Sequence, residues 1–87
     1  MNITLGFWEK GNAKLTRSYL ITTEVSPVDI IGEKFIARIK PAVSNFPPGK
    51  PFDPIFGDSE IAAKDKAISE IRNRPENRGL RSFEKRA

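Results

Sequence analysis

The residue types that most often perform chemistry are missing from this chain. It has no histidine and no cysteine. The commonest general base and the strongest nucleophile are therefore absent. Zinc sites built from Cys and His are excluded too, and no disulfide can form. Carboxylates, hydroxyls and lysines remain. Asp53, Asp58 and Glu60 bracket Phe56-Gly57, an arrangement that would suit a hard cation or an acid pair. A plainer account serves them better. Asp53 precedes Pro54 and belongs to a turn, Asp58 and Glu60 open a helix, and the spacing matches no calcium-loop pattern. Pro48-Gly49-Lys50 has the outline of a phosphate loop, but position 44 is serine rather than glycine, and Pro51 stands where Ser or Thr is required. The reading is a non-enzymatic protein with no metal and no cofactor.

What the chain does carry is a concentration of charge. Its formal charge is +4, and the whole surplus lies after position 71. Arg72, Arg74, Arg78, Arg81, Lys85 and Arg86 face only Glu76 and Glu84 there, whereas bases and acids cancel in residues 1 to 71. A balanced body with a basic end points to an acidic partner. Each arginine can neutralise a phosphate, which gives affinity without sequence specificity. Arg38 and Lys40, on the outward side of a strand, extend the same patch.

The elements that must position these groups are readable from pattern. At 87 residues the chain makes one domain, and its 38% hydrophobic content is that of a folded protein. The core is expected from Phe7, Trp8, Tyr19, Phe35 and the aliphatics near them. Residues 2 to 8 read as a first strand, and Gly11-Asn12 provides turn chemistry. From Lys14 to Val25 side chains alternate, with Leu15, Arg17, Tyr19, Ile21, Thr23 and Val25 on the core side. Lys34 to Val43 reads as a third strand, with Phe35, Ala37 and Ile39 opposite Ile36, Arg38 and Lys40; Pro41 marks an edge or an end. A helix follows Asp58 or Ser59 as cap. Its buried face is expected to hold Ile61, Ala67, Ile68 and Ile71, with Ala63 beside them, and Pro75 stops it.

The fold expected is α+β: a three-stranded antiparallel sheet with one C-terminal helix on one face (β-β-β-α). A Pro-rich loop precedes the helix. Residues 1–75 form the domain, and 76–87 form a flexible basic tail, since only Leu80 and Phe83 there are worth burying.

The expected function is binding to an acidic partner, nucleic acid first, through Arg38, Lys40, Arg72, Arg74, Arg78, Arg81, Lys85 and Arg86. An acidic protein surface is the other partner of this kind. The alternative is a protein–protein module or a small inhibitor or accessory protein, of the sort small phage and mobile-element reading frames encode. It would dock through the loop residues Phe46, Lys50, Phe52 and Phe56, where prolines reduce the entropy lost on binding. An exposed edge strand, either the first or the third, offers a further contact and a route to a homodimer. No stretch is long and apolar enough to span a bilayer, and Met1 to Trp8 lacks a basic region and a long apolar core. The expected location is the cytoplasm, with no membrane partner.

Overall fold

Alternation of side chains builds the first three strands. In β1 (Asn2–Trp8) Ile3, Leu5 and Phe7 turn inward and are buried. In β2 (Leu15–Val25) Tyr19, Ile21 and Thr23 do the same. In β3 (Phe35–Ser44) Ala37 is buried, with Phe35 and Ile39 packed against the core beside it. These three strands pair antiparallel in chain order. The computed structural model describes residues 1–9, 11, 15–44 and 51–86, with backbone alone for 15, 16, 43 and 44.

Two further strands correct the expected architecture. The sheet has five strands in the order β4-β3-β2-β1-β5, not three. β4 (Ile55–Gly57) pairs antiparallel with Phe35–Ala37 of β3. β5 (Arg81–Arg86) pairs antiparallel with β1, from Ile3↔Arg86 to Trp8↔Arg81. The helix is therefore not C-terminal. It lies between the two edge strands, and the basic segment assigned to a tail is itself an edge of the sheet. Of the two edges expected from sequence, β1 has a strand on both sides, whereas β3 is flanked by β4 only at Phe35–Ala37 and among the described residues stays an edge beyond them.

Each miss has a physical cause. A three-residue strand beside Pro54 is too short to show alternation. β5 lacks an apolar stripe because its helix-side positions, Ser82, Glu84 and Arg86, lie at the margin of the sheet. Polar contacts hold them instead: Arg72 Nε donates to Ser82 Oγ at 3.0 Å, and Lys64 Nζ lies 3.7 Å from a Glu84 carboxylate oxygen. Pro41 does not end β3, which runs on to Ser44. It sits in the stretch that β4 does not reach, next to a bulge where Tyr19↔Pro41 is followed by Ser18↔Val43.

The helix α1 (Glu60–Arg72) starts at Ser59, whose hydroxyl accepts from the Ala62 N–H at 3.1 Å. Its buried face is Ala63, Ala67, Ile68 and Ile71. Ile61 is not part of it and is 60% exposed. The face begins with alanines because the helix lies almost on the backbone of β4. A Cβ on Gly57 would stand 2.5 Å from the Ala63 nitrogen. After the helix a 3-10 turn (Pro75–Asn77) and Gly79, at φ +80°, reverse the chain into β5. Asn77 locks this turn. Its amide nitrogen donates to Tyr19 Oη at 3.2 Å and to the Ile71 carbonyl at 2.9 Å, and its oxygen accepts from Arg17 at 3.0 Å. Arg17, a charge on the apolar side of β2, thus serves as a clasp between β2 and the turn.

Candidate nucleic-acid interface

The helix packs against β2, β3 and β4 on one side of the sheet. The other side has no helix, and strand parity says which residues occupy it. The pairing of β1 with β5 places Trp8, Gly6 and Thr4 in line with Arg81, Phe83 and Lys85. The pairing of β2 with β3 adds Leu20 beside Lys40, Thr22 beside Arg38 and Glu24 beside Ile36. β4 contributes Phe56, opposite Ile36.

The result is a patterned surface. Arg81 and Lys85 stand along β5, and Arg38 and Lys40 along β3; all four are exposed. Between these basic strips, β1 and β2 supply a neutral floor of Thr4, Gly6, Ser18, Leu20 and Thr22. The strips are three strand spacings apart, about 14 Å. Trp8 and Phe83 meet at one end, ring centroids 4.4 Å apart at an interplanar angle of 62°. Phe83 is 40% exposed. Among the described strand residues of this face, Glu24 is the single acid. Its carboxylate lies 3.3 Å from Arg38 Nε, both side chains being more than half exposed. An exposed pair of this kind is worth little and yields readily to a phosphate.

The remaining basic residues named from sequence are placed elsewhere. Arg72 bonds Ser82 on the helix side. Arg74 lies over the ring of Phe52, its guanidinium carbon 3.5 Å from the centroid, and donates to the Pro51 carbonyl at 3.2 Å. Arg78 follows the 3-10 turn and is exposed. Arg86, helix-side at the end of β5, lines a small hollow with Met1, Ile3, Ile61, Lys64 and Glu84. The eight bases therefore do not form one patch. Four share the helix-free face, and four are distributed over the opposite side and the turn.

Phe52 stacks edge-on against Tyr19, centroids 5.6 Å apart, and packs on the core. Phe56 is half-buried next to Ile36. Phe46 and Lys50 lie outside the described residues. The three acids near Gly57 do not converge: Asp53 and Asp58 are exposed, and Glu60 accepts from the Met1 ammonium at 3.4 Å and from Thr23 at 3.3 Å. Among the described residues no group of three or more acidic side chains is placed to hold a metal ion. Nor is any helix there long and apolar enough to cross a membrane.

Sequence reasoning missed the two aromatics of this face. Trp8 was assigned to the core with Phe7, yet neighbours on a strand point to opposite sides. With Phe7 buried, Trp8 must face outward, and that signal was present in the sequence. A second surface was also missed. The connection from β2 to β3 exposes Val28 (40%), Ile30 (51%) and Ile31 (94%), and Val25 at the end of β2, expected on the core side, is 72% exposed beside it. No known family, no curated protein and no solved structure matches this chain.

Proposed function

We propose that this is a non-enzymatic nucleic-acid-binding protein that uses the helix-free face of its sheet. The observation that supports this reading is the pattern of that face: Arg38, Lys40, Arg81 and Lys85 along two margins, a neutral floor, one acid, and an aromatic pair at one end. Positive side chains spaced along a strand match the repeating charge of a phosphate backbone. Their side chains are long and exposed, so they reach phosphates without rearrangement of the sheet. The cytoplasm, where nucleic acid is met, is the location that goes with this role.

The test is the salt dependence of binding to labelled DNA or RNA. Each phosphate contact contributes about 0.7 to 0.9 to the slope of log K against log salt, so four contacts give a slope of about −3. Replacing Arg38, Lys40, Arg81 and Lys85 by Gln is expected to abolish binding at moderate salt. Replacing Arg78 by Gln leaves the face untouched and is expected to change affinity little. A flat salt response would rule the reading out.

The exposed β2–β3 connection favours a second reading, a protein-docking module. Three apolar side chains there, with Val25 at the end of β2, have substantial exposure, more than scattered surface hydrophobes require. The partner would be an apolar protein surface, contacted at Ile30 and Ile31. Ile31→Ser is expected to leave stability and nucleic-acid binding unchanged while removing such a contact. A fall in thermal stability would show instead that Ile31 supports the fold.

A further inference from the structure

We propose that the nucleic acid held on the helix-free face is unpaired, with a base stacked on Phe83 against Trp8. The inference rests on the nucleic-acid reading and narrows it. Three observations carry it. The first is the breadth of the face. Five strands at about 4.8 Å spacing make a surface roughly 19 Å wide, whereas the major groove of B-DNA is about 12 Å across and admits a helix or a two-stranded ribbon. The basic strips sit on either side of β1 and β2, so they cannot enter one groove together.

The second is chemical. Phe83 alternates with Arg81 and Lys85 on a single face of β5, is 40% exposed, and meets the Trp8 ring in an edge contact. Such a ring is useful to a base whose π-face is free. In a duplex those faces are occupied by neighbouring base pairs; in a single strand they are open. Gly6, opposite Phe83, leaves the sheet low at this point, since no side chain rises between the ring and the neutral floor. The third is the floor itself. Thr4 and Thr22, both partly exposed, offer hydroxyls, and Leu20 an apolar patch, between the phosphate-binding strips. That order, cation, flat neutral strip, cation, accommodates a chain of splayed bases.

The protein reports on its own site, because Trp8 is its single tryptophan. A short oligothymidylate and a mixed-sequence duplex of equal length are titrated into the full chain at low salt, following Trp8 emission and the anisotropy of a label on the nucleic acid. The expected result is binding of the single strand at least about tenfold tighter than the duplex, with a change in Trp8 emission on binding. Phe83→Leu keeps an apolar side chain over Gly6 and Trp8 but removes the ring. It is expected to weaken the single strand about tenfold, with the salt slope unchanged. Phe83→Tyr restores the ring and is expected to restore affinity. Equal binding of duplex and single strand, with Trp8 emission unaltered, would overturn the unpaired-strand inference and leave the nucleic-acid reading standing. Absence of binding to either probe would remove both. The comparison of the two probes uses the unaltered protein, so it decides the matter even where a variant fails to fold.

Discussion

Asn77 shows how a single side chain can join distant parts of a small fold. It is 2% exposed, donates to Tyr19 and the Ile71 carbonyl, and accepts from Arg17. Buried amides are affordable only when satisfied, and removal of one strands its partners. Asn77→Ala is expected to lower stability by about 2 kcal/mol, which for a chain this short is a fall in melting temperature of about 10 °C. Thermal melting followed by circular dichroism checks it. Gly57 makes the complementary case. A methyl group there meets the backbone of Ala63 at 2.5 Å, and backbone cannot rotate away as a side-chain end can. Gly57→Ala is expected to cost at least about 1 to 3 kcal/mol through overpacking, and a neutral or stabilising result would show that the helix is free to lift off β4. Neither role was legible in the sequence. Asn77 stood among residues assigned to a tail, 58 positions from Tyr19 in the chain. Gly57 looked like an ordinary loop glycine, because nothing local indicates that a helix will settle on it.

At the scale of elements, legibility followed burial. β1, β2 and β3 alternate because one side of each is buried in the core, so their positions and facing could be read directly. The helix was readable from its cap and from Ala67, Ile68 and Ile71, although Ile61 obeys the spacing and still points to solvent. β4 and β5 left no such trace. The first is three residues long, and the second satisfies its helix-side positions with Arg72 and Lys64 rather than with apolar contacts. The candidate site shared this fate. Its bases were counted correctly, but their division between two faces follows from the register of β5 against β1, which composition does not encode. The helix cap offers a measurable check on this level. Ser59→Ala removes the acceptor for the Ala62 N–H and is expected to cost about 1 kcal/mol, whereas Asp58→Ala, whose carboxylate does not cap, is expected to cost less. Equal losses at the two positions would mean that the helix begins one residue earlier in solution.

On the scale of the whole molecule, the same charges that suit a polyanion govern self-association. The sheet is open at β4, at the part of β3 that β4 does not reach, and at β5. β4 is too short to recruit a partner strand and Pro41 interrupts the open part of β3, so β5 is the edge at risk. Only alternate residues of β5 turn their N–H and C=O groups to the free edge, so two antiparallel copies of Arg81–Arg86 have two central registers. Centred on Phe83, the pairing sets Arg81 against Lys85. Centred on Glu84, it sets that acid against its own copy. Both place like charges in direct opposition, which destabilises a cross-strand pair. The edge that β5 offers to a second copy therefore resists pairing. Sedimentation at low salt is expected to show a monomer. Arg81→Thr combined with Lys85→Thr removes the clash in the register centred on Phe83 and adds a good strand former at both positions, so this variant is expected to self-associate at concentrations where the parent does not. Salt supplies the opposite signs that separate the two behaviours: screening weakens the grip on phosphates and at the same time relaxes the repulsion between edges. A parent protein that is dimeric at low salt, and that loses the dimer rather than gaining it as salt is added, would show that β5 pairs through attraction between its charges.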